Sequence, residues 1–173
     1  MTINQDIEKS VVPAFVELFD IDLSTTNIPA LSGSVFRCTP MTTGTANVQF
    51  GGDTYIGYPI HISGISQSSD GAPPRPSLSI SNIAKYIGAL AFQYDDIIGA
   101  TVTYTRTFSS YLNTGSRISL PPLRYYIAKK TMHDKTILSF ELRDFRDKER
   151  AFMPKRQMLK KDFPGLGINK NVR

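Results

Sequence analysis

The chain has 173 residues (19.2 kDa), 40% of them hydrophobic and 20% charged, which suits one folded domain with an appendage and excludes wholesale disorder. The single cysteine, Cys38, removes an intramolecular disulfide framework and any four-cysteine zinc or iron–sulfur site. The net charge of +5 sits at one end: residues 1–143 balance Lys/Arg against Asp/Glu, whereas residues 144–173 hold nine Lys/Arg against four Asp/Glu, so a neutral domain over 1–143 and a basic C-terminal arm over 144–173 are expected.

From the N-terminus, Ile3 and Ile7 predict a short helix over Ile3–Ser10, ended by Pro13. Asp6 and Glu8 with no apolar stretch argue against a secretory signal, and no apolar run reaches the roughly 20 residues of a membrane span. The expected setting is a soluble protein made in a cytoplasm. Phe15–Leu23 (FVELFDIDL) is more continuously apolar and predicts a strand buried on most of its length. Val48 and Phe50 lead into the Gly51-Gly52 turn signal, beyond which Ile56, Tyr58, Ile60 and Ile62 resume at period 2. Gln67–Pro76 is too rich in Ser, Gly and Pro for a regular element.

Leu78 and Ile80 alternate with Ser77, Ser79 and Ser81. From Ile83 the spacing turns helical, through Tyr86, Ile87, Leu90, Ala91 and Tyr94, with Ser81 or Asn82 as the expected cap and Gly99 as the stop. Ala100–Phe108 alternates again, its threonines on one face, and Ser109–Pro122 reads as a surface connection. Leu123, Tyr125 and Ile127, then Leu138, Phe140 and Leu142, complete the pattern. The expected fold is mainly β: a single barrel or sandwich of seven or so strands with one inserted helix, a short N-terminal helix and an extended C-terminal arm.

No catalytic template is complete. A Ser–His–Asp triad has only His61 and His133 to draw on, and no G-x-S-x-G occurs. His61 reads as a core or edge histidine of its strand and His133 as part of a hairpin turn. No Gly precedes a Lys, so there is no phosphate-binding loop, and Gly165-x-Gly167 lacks its third glycine. The carboxylate pairs Asp20/Asp22 and Asp95-Asp96 read as solvated terminators of their elements. No enzyme, cofactor or metal is expected.

The arm has two readings. Lys155-Arg156 and Lys160-Lys161 could neutralise phosphates, which gives a nucleic-acid-binding module as the alternative function. However, Phe152, Pro154, Met158, Leu159, Phe163 and Leu166 interleave with those charges at irregular spacing, which suits an extended segment laid into a partner's grooves. The expected protein-interaction residues are these six with Lys155 and Arg156.

The stretch from Tyr58 to Leu90 resembles the middle of the minor tail protein L family of lambda-like tailed phages. A Tyr-Pro-Ile strand, a Gly/Ser loop and a Pro-x-Leu-x-Ile-Ser-Asn strand lead into a helix, carried here by Tyr58, Pro59, Ile60, Arg75, Pro76, Leu78, Ile80, Ser81 and Asn82. IIGATVTYTRTF and FELRDFRDKERAFMPKRQM are similar to later parts of that pattern, and with the N-terminal helix and FVELFDIDL also in register the resemblance runs from about Ile3 to Leu159. It implies a structural virion protein of the tail tip or baseplate hub, made in the host cytoplasm. That protein would join the tail tube to the central receptor-binding hub, as a homotrimer contacting other tail proteins and neither a membrane nor a specific nucleic acid. The family's C-terminal cysteine-bearing region, implicated in iron–sulfur binding, has no counterpart in DFPGLGINKNVR.

Overall fold

Period-2 alternation becomes nine strands in the computed structural model, which describes residues 14–26, 28–40, 47–65, 74–83 and 85–147. They are β1 (Phe15–Asp22), β2 (Val35–Thr39), β3 (Val48–Phe50), β4 (Asp53–Gly57), β5 (Ile60–Ser63), β6 (Ser77–Ser81), β7 (Thr101–Phe108), β8 (Leu123–His133) and β9 (Ile137–Asp144). All join one sheet in the order β3-β4-β2-β1-β7-β8-β9-β6-β5, antiparallel except for β2 beside β4. The expected mainly-β body is therefore present, with a single α-helix among the described residues. The sheet is not closed into the expected barrel, because β3 and β5 end it without pairing to each other. It is nevertheless strongly curled: Cys38 of β2 and Ile60 and Ile62 of β5 share one buried cluster with Phe19, Leu78 and Phe140.

β1 carries apolar residues on both of its faces because both are covered. Phe19 and Ile21 enter the main core, while Val16 and Leu18 form a second cluster with Val48, Phe50 and Tyr55 of the β3–β4 hairpin. Gly51 and Gly52 turn that hairpin with φ of 59° and 90°, the left-handed pair that a two-residue loop requires. A Cβ on Gly51 would lie 2.5 Å from the Arg117 side chain, which reaches over the turn to pair with Asp53. The Ser109–Pro122 connection thus clamps the hairpin. Its Asn113 donates its backbone N–H to the carbonyl of Gln49 (2.8 Å) and accepts the Gln49 N–H on Oδ1 (3.0 Å), which covers the outer edge of β3.

The helix α1 (Tyr86–Gln93) puts Ile87 into the main core and buries Ala91, with Leu90 and Tyr94 packed against that core. It begins later than the spacing predicted. Ile83 is 76% exposed, and neither Ser81 nor Asn82 caps the helix; Lys85 precedes it at φ 56° with no side-chain cap. Cys38 is fully buried, and burial pushes its thiol up to about 12, which makes it an unreactive packing residue. The expected helix over Ile3–Ser10 lies outside the described residues. Among the described residues, no helix is long and apolar enough to cross a membrane.

Candidate functional site

The motif residues meet where the two ends of the sheet come together. β4 and β5 are consecutive stretches of chain broken only by Tyr58-Pro59, and the break carries the chain from β2 on one side to β6 on the other. The Tyr58 N–H donates to the Thr39 carbonyl (2.9 Å), and the Pro59 carbonyl accepts the Ser81 N–H (2.9 Å). A non-proline at position 59 would return a hydrogen bond to the Ser81 carbonyl, as paired antiparallel residues do. Proline has no N–H, and the Tyr58 hydroxyl takes that place, donating to the Ser81 carbonyl at 2.8 Å. The Tyr58 ring meets Phe36 of β2 edge-on at 5.5 Å.

Asn82 ties the next junction. Its backbone N–H donates to the Thr136 carbonyl (2.8 Å) and its Nδ2 to the Asp134 carbonyl (2.9 Å), so it holds the β8–β9 turn against the start of α1. Gly88 makes room for this, since a Cβ there would stand 2.2 Å from Asn82 Oδ1. Gly88→Ala is therefore expected to destabilise the protein by about 2 kcal/mol, overpacking outweighing a gain of about 1 kcal/mol in helix propensity. In an Asn82→Ala background the same change is expected to be neutral or stabilising; equal losses in both backgrounds, read by urea denaturation, would show that Asn82 is not what Gly88 accommodates. Of the remaining motif residues, Leu78 is fully buried, Pro76 accepts the Leu142 N–H at 2.8 Å, and Arg75 is exposed. The motif thus builds the framework: Tyr58, Pro59, Ser81 and Asn82 are gathered, while Arg75 stands apart.

The side chains screened for chemistry are not assembled. His61 is exposed on β5, and His133, exposed at the end of β8, has Nδ1 3.3 Å from Lys130 Nζ. Asp22 accepts the Ser24 N–H (2.9 Å), which caps the turn after β1, and Asp96 pairs with Lys130. Asp20 lies 3.6 Å from Arg37 and accepts from Tyr55, and burial raises its carboxyl above the usual range. Among the described residues, no group of three or more His, Cys, Asp or Glu could hold a metal ion. The arm residues Phe152, Pro154, Lys155, Arg156, Met158, Leu159, Phe163 and Leu166 lie outside the described residues.

One surface was missed in the sequence. Phe92 is 87% exposed on α1 and Ile83 is 76% exposed just before it. The signal was present, since Phe92 stands off the Ile87, Leu90, Ala91, Tyr94 stripe. Two grooves flank the Ser81–Ile83 segment: Lys85, Phe92 and Lys135 line one, Pro59, Ile83 and Ile137 the other.

The profile of the family described as phage minor tail protein L matches residues 28–164. The match takes in β2 to β9 and runs beyond the last described residue, Asp147, into the basic C-terminal segment. It reaches five residues past the resemblance noted from the sequence, and it leaves β1 and the segment before it outside.

Proposed function

We propose a place for this chain at the tail tip from one premise: it belongs to the phage minor tail protein L family and is a structural phage tail protein. In this reading it is a subunit of the tip or baseplate hub. It joins the tail tube to the central receptor-binding hub as a trimer, and it has no catalytic role. The curled sheet is the rigid body, and the basic, apolar arm embraces neighbouring subunits.

The observation that supports an assembly role for the arm is the reach of the family match to residue 164, a range that takes in Phe152, Lys155, Arg156, Leu159 and Phe163. Tail proteins have assembly in common, so a family match that extends over this segment favours an assembly role for it. Cryo-electron microscopy of intact particles tests the reading. The expected density is three copies around the tail axis between tube and central hub, with the arm crossing to a neighbour. Density along the tube, or a purified particle without the chain, would overturn it.

A further inference from the structure

Four of the eight most exposed large hydrophobics in the described residues, Ile83, Phe92, Met132 and Ile137, belong to α1, the residues before it, or the β8–β9 hairpin. Ile83 and Ile137 line one groove beside the Ser81–Ile83 segment and Phe92 lines the other, and exposed apolar groups that gather in this way mark interaction sites. Here the apolar groups are bordered by cations. Lys85 and Lys135 line the Phe92 groove, are exposed, and, like Arg75, Arg106 and Arg124 elsewhere, make no ion pair among the described residues. One carboxylate, Asp134, faces the same groove, and it accepts the Lys135 N–H at 2.7 Å within its own turn.

The frame around the patch is held in costly geometry. Lys85 sits at φ 56° before α1, and Asp95, Asp96 and Ile97 follow it at 46°, 57° and 51°. Non-glycine residues persist there only where the surroundings over-determine them, and such positions concentrate at functional surfaces. Asp96 is held by Lys130, and Ile97 by full burial in the core. The Asn82 bonds fix the hairpin turn to the same frame.

We infer that the α1–hairpin surface docks an acidic, apolar segment of a neighbouring tail protein, its side chains against Phe92, Ile83 and Ile137 and its carboxylates on Lys85 and Lys135. The inference rests on the tail-protein reading above and names one of its contacts. An acidic partner is favoured over a second copy's basic arm, because like charges would then face each other across a desolvated contact.

The test uses phage particles assembled with the full chain carrying p-benzoylphenylalanine at Phe92, irradiated, and the cross-linked peptides sequenced. The expected product joins position 92 to an Asp/Glu-rich segment of another tail protein. Lys85→Glu with Lys135→Glu is expected to cut its yield at least about tenfold, and reversing the partner's acids to Lys to restore it. Lys85→Gln with Lys135→Gln serves as the milder pair should the Glu variants fold poorly, which circular dichroism reads. A cross-link to a second copy, to nucleic acid or to an uncharged segment would overturn the inference, as would no cross-link in particles that contain the chain. Particles that lack the chain altogether would instead overturn the tail-protein reading.

Discussion

Truncating Phe140 to Ala is expected to destabilise the fold by about 3–5 kcal/mol, the range for removing a buried aromatic whose site cannot collapse. Phe140 is fully buried on β9, opposite Leu78 of β6 and Lys130 of β8, within the cluster that unites both ends of the sheet. It cannot be replaced by a small shift of one neighbour, because β6 and β8 hold it from both sides by main-chain hydrogen bonds. Against a total stability of about 5–15 kcal/mol the loss is a large fraction. It corresponds to a melting point lower by roughly 6–20 °C for a chain of this size. Phe92→Ala is the control: at 87% exposure it is expected to change stability by no more than about 0.5 kcal/mol. Thermal and urea melts of both variants decide the matter, and equal melting points would remove Phe140 from the core.

The contrast between these two phenylalanines shows what periodicity can and cannot reveal. Where a strand buries one face, alternation alone places its side chains, and Leu78, Ile80, Val102, Tyr104, Leu138, Phe140 and Leu142 are all buried as the pattern requires. Ile56 breaks the rule at 49% exposure, and its neighbour Tyr55 is buried instead. The reason is tertiary: the β3–β4 hairpin folds onto the second face of β1, so the buried side of β4 is set by that contact and not by its continuation into β5. β2 was overlooked because its five residues include Arg37, whose Asp20 partner on β1 no sequence pattern reveals. The failure of barrel closure is equally invisible, since closure depends on which distant edges pair.

The helix boundary failed for a local reason. Asn82 has the chemistry of an N-cap, but its side chain is spent on the β8–β9 turn 52 residues away, and α1 starts beyond a left-handed Lys85. The same competition explains the motif as a whole. Tyr58, Pro59, Ser81 and Asn82 resembled a family signature in the sequence, and in the fold they are the hydrogen-bonding groups that carry the chain between the sheet's ends. Their identity reports architecture. The contacts proposed above lie elsewhere, on α1, the hairpin and the arm.

For the arm, changing Phe152, Leu159 and Phe163 together to Ser is expected to abolish incorporation into particles although the net charge is untouched. Each aromatic or aliphatic anchor lost from the centre of a protein interface costs about 2 kcal/mol or more, roughly thirtyfold in affinity. Ordering a segment of this length costs about 1–2 kcal/mol per residue in backbone entropy, which charge contacts at a wet rim do not offset. On the assembly reading, apolar burial in a partner's grooves supplies the difference. Changing Lys155, Arg156, Lys160 and Lys161 to Gln is expected to weaken incorporation more mildly and in a way that fades with added salt, as screened contacts do. A nucleic-acid role makes the opposite forecast. The Ser variant would then assemble normally, and the Gln variant would lose a DNA affinity whose steep salt slope counts several released phosphate counterions. Particle incorporation and DNA binding measured on both variants at two salt concentrations separate the readings, and the interleaved hydrophobes place the expected loss on the Ser variant.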